Sequence, residues 1–194
     1  MSSSRSFHHF PKAQGLYDPQ LEKDSCGVGM IASLKRTPSR RVVLQANEML
    51  VRMSHRGACG FDPDSGDGAG MLVALPHSFY QKQTPFILPP AGEYAMGNVF
   101  FGKESTGVEI EACQSIMSDV AQRMGYSVLG WRKVPVENGA LGETSRASEP
   151  AIEQVFVQKA DGKSNDDFEK DLLLMRNLVT SDVAKADLSE FYVR

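Results

Sequence analysis

Cysteine is scarce and poorly spaced for shared work. Cys26, Cys59 and Cys113 stand far apart in 194 residues, and no C-x-x-C pair occurs. That excludes a disulfide framework and a zinc site built on cysteine pairs, and fits a reducing compartment rather than a secreted protein. Neither sign of charge is in excess: 21 Lys+Arg against 24 Asp+Glu leave a formal net charge of -3. The basic residues are scattered apart from Lys35-Arg36 and Arg40-Arg41, so the chain carries no footprint for nucleic acid or an anionic membrane surface. No apolar run approaches the roughly 20 residues of a membrane span, and there is no internal repeat or long low-complexity tract. The first seventeen residues lack any acid and contain several serines with Arg5 and Lys12. They hint at a transit peptide but have no arginine-rich amphipathic pattern, so residues 1–25 read as a leader without a core of its own.

What is present is a mixed pattern of strand and helix signals. An apolar run predicts a buried first strand over 27–35, and Thr37-Pro38-Ser39 a turn. Over 40–54 the positions Val42, Val43, Ala46, Met49, Leu50 and Met53 follow helical spacing, with their face expected on a sheet and Gly57 as a left-handed stop. A loop over 61–70 precedes Met71-Leu72-Val73-Ala74-Leu75, expected to be a second buried strand closed by Pro76. A short helix is predicted over 77–83 and a strand over 94–101. The helix over 105–124 should bury Cys113, Ile116, Met117, Val120 and Met124. Strands follow over 126–134, carrying Trp131, and over 152–157, separated by a loop at 137–150. A last helix over 167–186 turns Phe168, Leu172, Met175, Leu178 and Val179 inward, and Phe191-Tyr192-Val193 begins another strand. The rhythm is not that of a doubly wound nucleotide-binding fold.

Cys26 stands where the polar stretch before it gives way to the first apolar run. A nucleophile there would be held by an ordered element and reached through a loop. Gly27-Val28-Gly29-Met30-Ile31-Ala32 formally matches a dinucleotide fingerprint, but a polar stretch, not a strand, precedes it, and the match is accidental. Counted from Asp62, a calcium loop would need a ligand at Gly66 and a glutamate at Val73, so it fails; the lysine of a phosphate-binding loop is also missing. Gly66, Gly68 and Gly70 let backbone approach a ligand closely, or simply make a tight loop. His55 and Arg56 suit a helix C-terminus, His77 the surface, Cys113 the core, and Cys59 a structural place in a loop.

Taken together, Asp24-Ser25-Cys26-Gly27-Val28-Gly29, Ser54-His55-Arg56-Gly57-Ala58 and Gly66-Asp67-Gly68-Ala69-Gly70 resemble the class II glutamine amidotransferase domain of glutamate synthase large subunits. Three further stretches fit in order: Gly92 to Phe101, Gly130-Trp131-Arg132-Lys133-Val134-Pro135-Val136 and Gln154-Val155-Phe156-Val157. The resemblance implies an α+β fold, the four-layer αββα sandwich of N-terminal-nucleophile hydrolases. It implies that residues 1–25 are a propeptide cut between Ser25 and Cys26, and that 26–194 is the first part of the amidotransferase domain. By the same resemblance Cys26 is the catalytic nucleophile, its own freed α-amine is the base, and Arg56 binds the glutamine carboxylate. Asp67 and Gly68 shape the same region. Glutamine and the remainder of the glutamate synthase polypeptide are the implied partners, with no metal in this stretch. FMN and an iron-sulfur cluster are implied for the parent enzyme, in cytoplasm or plastid.

The family's His-Asn-Gly-Glu segment for the oxyanion, its Arg-Phe/Tyr-Ser-Thr segment and its aspartate for the substrate amine do not occur in this sequence, and Asn98 is not a substitute for that asparagine. The sandwich is therefore expected to be incomplete at its C-terminal side, and the chain to act as a fragment with little activity alone, prone to aggregate or to need a partner. Losing a single oxyanion donor already costs about 100- to 1000-fold. Two other readings stand beside this one. One is a non-catalytic or regulatory remnant on the same fold. The other is the amidotransferase domain of a purine or asparagine enzyme, where the cysteine usually follows the initiator methionine directly rather than a leader of 25 residues.

Overall fold

The structure is a computed structural model and describes residue 15 and residues 27–35, 37–57, 62, 64–188 and 190–194. The chain divides into two compact units: Met1–Ala74 with Leu141–Thr144, and Leu75–Ala140 with Ser145–Arg194. In the first, Ser39 caps helix α1 (Arg40–Arg52) by accepting the Arg41 N–H at 3.1 Å, satisfying one of the orphan donors of a helix start. The helix ends at Met53, whose N–H reaches the carbonyls of Met49 and Leu50, and a single 3-10 turn over Ser54–Arg56 follows.

The second unit contains helix α2 (His77–Gln83) and an antiparallel sheet of β1 (Tyr94–Phe101), β2 (Ser127–Lys133), β3 (Ala151–Gln158) and β4 (Phe191–Val193), in the order β2-β3-β1-β4. The central pair β1 and β3 is in register along its whole length, from Tyr94 opposite Gln158 to Phe101 opposite Ala151. Strand alternation turns Val99, Phe101, Val155 and Val157 to one face and Tyr94 and Phe156 to the other. Helices α3 (Gly107–Arg123) and α5 (Asn165–Lys185) cover the first face, burying Cys113, Met117, Val120, Met175, Val179 and Val183 there. Each such side chain contributes about 1.5–3 kcal/mol when fully buried, so this face carries most of the unit's stability. On the opposite face Tyr80 of α2 joins Leu88, Tyr94 and Phe156 in a smaller cluster.

Local chemistry marks the boundaries. Thr106 and Glu109 cap α3 reciprocally, a capping box that satisfies two donors at once. Gly125, at φ +81°, closes α3 with the Tyr126 N–H on the Ala121 carbonyl at 2.8 Å and its own N–H on that of Gln122 at 3.0 Å. Asp187, at φ +51°, makes the corresponding left-handed turn after α5. A short helix α4 (Glu143–Ala147) lies within what the sequence predicts as loop.

The expected helices and strands over 77–83, 94–101, 105–124, 126–134, 152–157 and 167–186 appear with ends shifted by two residues at most. Both strands expected in the first unit are corrected. Residues 27–33 have no regular structure, and Val28 and Met30 are exposed. Residues 71–75 are likewise irregular, with Leu72 fully exposed. Among the described residues no strand pairs with either run, and an apolar run forms a strand only when a ladder and a cover are supplied. No residue of α1 is buried, against the expectation of a covered apolar face. Gly57 is extended at φ -91° and ψ 151°, because the helix has already ended four residues earlier. Leu178 is 37% exposed, one position round from the buried Val179. Among the described residues no helix is long and apolar enough to cross a membrane.

Candidate active site

The first unit gathers the sequence-singled residues around the end of α1. The Arg56 N–H donates to the Met53 carbonyl at 2.8 Å and the Gly57 N–H to that of Ser54 at 3.2 Å, so the 3-10 turn fixes where the Arg56 side chain leaves the backbone. His55 turns its Nδ1–H onto the Arg52 carbonyl at 2.9 Å, which ties its ring to the helix end rather than to any substrate. Arg52 pairs with Glu48 at 2.8 Å. Arg56 is exposed, and among the described residues its guanidinium takes no ion-pair or hydrogen-bond partner.

Cys26 and Cys59 lie outside the described residues. Gly27, peptide-bonded to Cys26, is described, and it lies on the Arg56 turn. A Cβ placed on Gly27 would stand 3.4 Å from both Cβ and Cγ of Arg56 and 3.1 Å from the Met53 sulfur. A Cβ on Gly29 would overlap the Met49 thioether and come within 3.2 Å of its Cγ. Met49 and Met53 are one turn apart on the same side of α1. The Gly-x-Gly spacing therefore serves close approach of this segment to methionine side chains, while Val28 and Met30 face solvent. This gives the glycine pair a packing role in place of the rejected dinucleotide one.

The glycine-rich loop comes to the same turn. A Cβ on Gly57 would be 4.0 Å from Cβ of Asp67 and 3.6 Å from the Ser54 carbonyl. At the loop's entry the Asp62 carboxylate accepts the Ser65 hydroxyl at 2.8 Å, the Thr144 N–H at 3.1 Å and the Asp64 N–H at 3.1 Å. These donors, the Ser65 hydroxyl first, hold its carboxyl below the usual carboxylate range. Sequence reasoning misses this cluster: it weighs Asp62 only as a calcium ligand, and one of the three partners, Thr144, sits 82 residues on. The Asp-Pro-Asp-Ser run, a turn former, was the available signal.

Elsewhere in the second unit Cys113 is buried among the α3 residues facing the sheet, and burial raises its thiol pKa. His77 is half-buried with Nδ1 3.0 Å from the Tyr94 hydroxyl, so it is more enclosed than expected. The sequence also gave no sign of a polar rung across three strands. Gln154, buried on β3, donates to Tyr80 and Asn98 oxygens at 3.0 Å each and accepts from Arg132 at 2.9 Å. Asn98 is thus engaged within the sheet. Concavities among the described residues include one of 420 Å³ lined by Ile116, Asp119, Gln122, Arg123 and Asp182, and an apolar one of 330 Å³ beneath α5. Neither includes Arg56. No group of His, Cys, Asp and Glu among the described residues is placed to hold a metal.

The sequence profile of the family described as glutamine amidotransferases class-II matches residues 26–194. Among relatives, the chain is 43% identical over 178 residues to the NADH glutamate synthase of Schizosaccharomyces pombe, covering 86% of this chain and 8% of that protein. It is 40% identical to the large chain of the NADPH glutamate synthase of Bacillus subtilis, over 88% of this chain and 11% of the other. It is 38% identical to the ferredoxin-dependent glutamate synthase 1 of Arabidopsis thaliana, chloroplastic/mitochondrial, over 90% and 11%. The chain thus spans about a tenth of the length of these relatives. A family match over 26–194, together with these identities, shows that the chain belongs to the class II glutamine amidotransferases.

Proposed function

We propose that this chain is the glutaminase part of a glutamate synthase, with Cys26 as nucleophile and Arg56 as the holder of the glutamine α-carboxylate. The observation that carries the reading is the packing of Gly27, the residue bonded to Cys26, on the stem of an Arg56 whose guanidinium is unengaged among the described residues. A planar guanidinium suits bidentate capture of a carboxylate. The family match opens on Cys26 itself, which supports cleavage between Ser25 and Cys26.

The chemistry follows from that cleavage. An ordinary thiol, pKa about 8.5, is only a few per cent thiolate at neutral pH. A free α-amine, pKa about 7.7–8.0, is basic enough to take the thiol proton and return it to the leaving group. The sulfur attacks the side-chain carbonyl carbon of glutamine, the C–N bond breaks, and ammonia departs with the returned proton. Water then cleaves the thioester to glutamate and the free thiol. While Ser25 is attached, the Cys26 nitrogen is an amide and cannot act as base. The same reading extends to the surroundings. The sheet with α3 and α5 on one face is proposed as half of an αββα sandwich. Ammonia would serve glutamate formation from 2-oxoglutarate in the remainder of a longer polypeptide. FMN and an iron-sulfur cluster would belong to that remainder, and the enzyme to cytoplasm or plastid.

The test is the intact mass of the purified chain before and after incubation with the glutamine-shaped diazoketone 6-diazo-5-oxo-norleucine. The expected result is loss of residues 1–25 and one adduct, mapped to Cys26. Full-length mass without an adduct would sink the reading for this chain.

A further inference from the structure

We propose that Asp62 is a positioning residue, locking the entry of the glycine-rich loop to Gly142 and Thr144 so that Asp67 stands beside the Arg56 turn. The proposal rests on the glutaminase reading above for what the loop is positioned to receive.

Both carboxylate oxygens of Asp62 are in use. Oδ1 accepts the Asp64 N–H, and Oδ2 accepts the Ser65 hydroxyl and the Thr144 N–H. A second tie runs in the same direction: the Gly142 N–H donates to the Asp64 carbonyl at 3.1 Å. Two segments separated by some 80 residues are therefore stitched at two points. Gly142 is buried, and a Cβ there would overlap the Asp62 carboxylate and stand 2.6 Å from the Ser65 hydroxyl oxygen. The carboxylate thus occupies the space that any side chain at 142 would fill. Chain length then transmits the anchor. Ser65 and Asp67 are two residues apart, at most about 7 Å of chain, so fixing Ser65 confines Asp67. At the loop's far side the Asp67 Cβ stands 4.0 Å from where a Cβ on Gly57 would be, one residue from Arg56. An asparagine at 62 has one acceptor oxygen; its amide nitrogen would face a backbone or hydroxyl donor and leave a hydrogen bond unmade.

The experiment has two arms on the whole chain. In a 15N-labelled sample, Asp62→Asn and Gly142→Ala should each shift the amide signals of Gly66, Gly68, Gly70 and Thr144 while those of α1 stay in place. Ser65→Ala, which removes one donor of three, should move them in the same direction by less. Glycine signals that stay put in all three variants overturn the proposal. In the second arm, the concentration of diazoketone giving half-maximal alkylation should rise at least 10-fold in Asp62→Asn, and no further in the double variant with Gly142→Ala. The limiting rate, and the rate with the shapeless reagent iodoacetamide, should stay within twofold. A fall in limiting rate at unchanged half-saturation, or losses that add in the double variant, overturns positioning. A wild-type chain that takes no diazoketone at all sinks the glutaminase reading instead, and the glycine signals then decide the clamp alone.

Discussion

At the scale of single residues, the site turns on what Arg56 can do that its neighbours cannot. Arg52 spends its charge on Glu48, and His55 donates to the helix end. Arg56 alone of the three projects from the 3-10 turn against Gly27 with no described partner. Hydrogen bonds to a charged group contribute about 1.5–3 kcal/mol, which is about 10- to 100-fold in binding. Arg56→Ala should therefore raise the half-saturating concentration of the diazoketone by that factor without changing the iodoacetamide rate of Cys26. Arg56→Lys should fall between, since an ammonium keeps the charge but loses the planar fork. Equal half-saturation in Arg56→Ala and wild type would remove Arg56 from the substrate site. Arg56 can be proposed from the sequence because its neighbours form a contiguous motif. Asp62 cannot: its meaning lies in Gly142 and Thr144, and no local pattern reports a hydrogen bond to a partner 80 residues away.

At the scale of elements, the second unit was read well because its punctuation is chemical. Pro76 and Thr84 bracket α2, Thr106 and Gly125 bracket α3, and helical or alternating apolar positions run between such stops. The first unit was misread at 27–35 and 71–75 because an apolar run states a capacity for burial, not a partner that fulfils it. Buried polar residues failed for the related reason that Gln154 and Glu153 look exposed until Arg132 and Gln114 are brought to them from other elements. Gly130 belongs with these. It follows a register shift in β2, and a Cβ there would overlap the Phe86 ring and approach within 2.5 Å of its Cε1. Overpacking of this kind costs about 1–3 kcal/mol. Gly130→Ala should lower the urea midpoint accordingly, with the slope unchanged. In a Phe86→Ala background the same substitution should cost less, because the clashing ring is gone. An equal cost in both backgrounds would refute the steric account.

At the scale of the whole chain, the two units differ in how much apolar surface they bury. The second holds two clusters around one sheet, with Val99, Val120, Phe156 and Val179 fully enclosed. In the first, α1 buries no residue, and Val28, Met30, Leu34, Leu72 and Val73 face solvent. An isolated helix of 13 residues is marginal in water, so α1 depends on contacts such as Met49 and Met53 against the Gly27–Gly29 stretch. Local opening free energies follow buried contacts, and the units should separate in hydrogen exchange. Amides of β1 and β3 should exchange most slowly, near the global unfolding limit. Those of α1 and of 71–75 should exchange faster by a factor of at least 100, equivalent to about 2.7 kcal/mol of opening free energy. Mass spectrometry of peptides after timed labelling reads both at once. Adding the diazoketone should slow exchange around the Arg56 turn and the 66–70 loop while leaving β1 and β3 unchanged, because the proposed contacts through Cys26 and Arg56 lie in the first unit. Protection of α1 equal to that of β3 before any ligand is added would mean that its apolar face is covered in solution, against the burial described above.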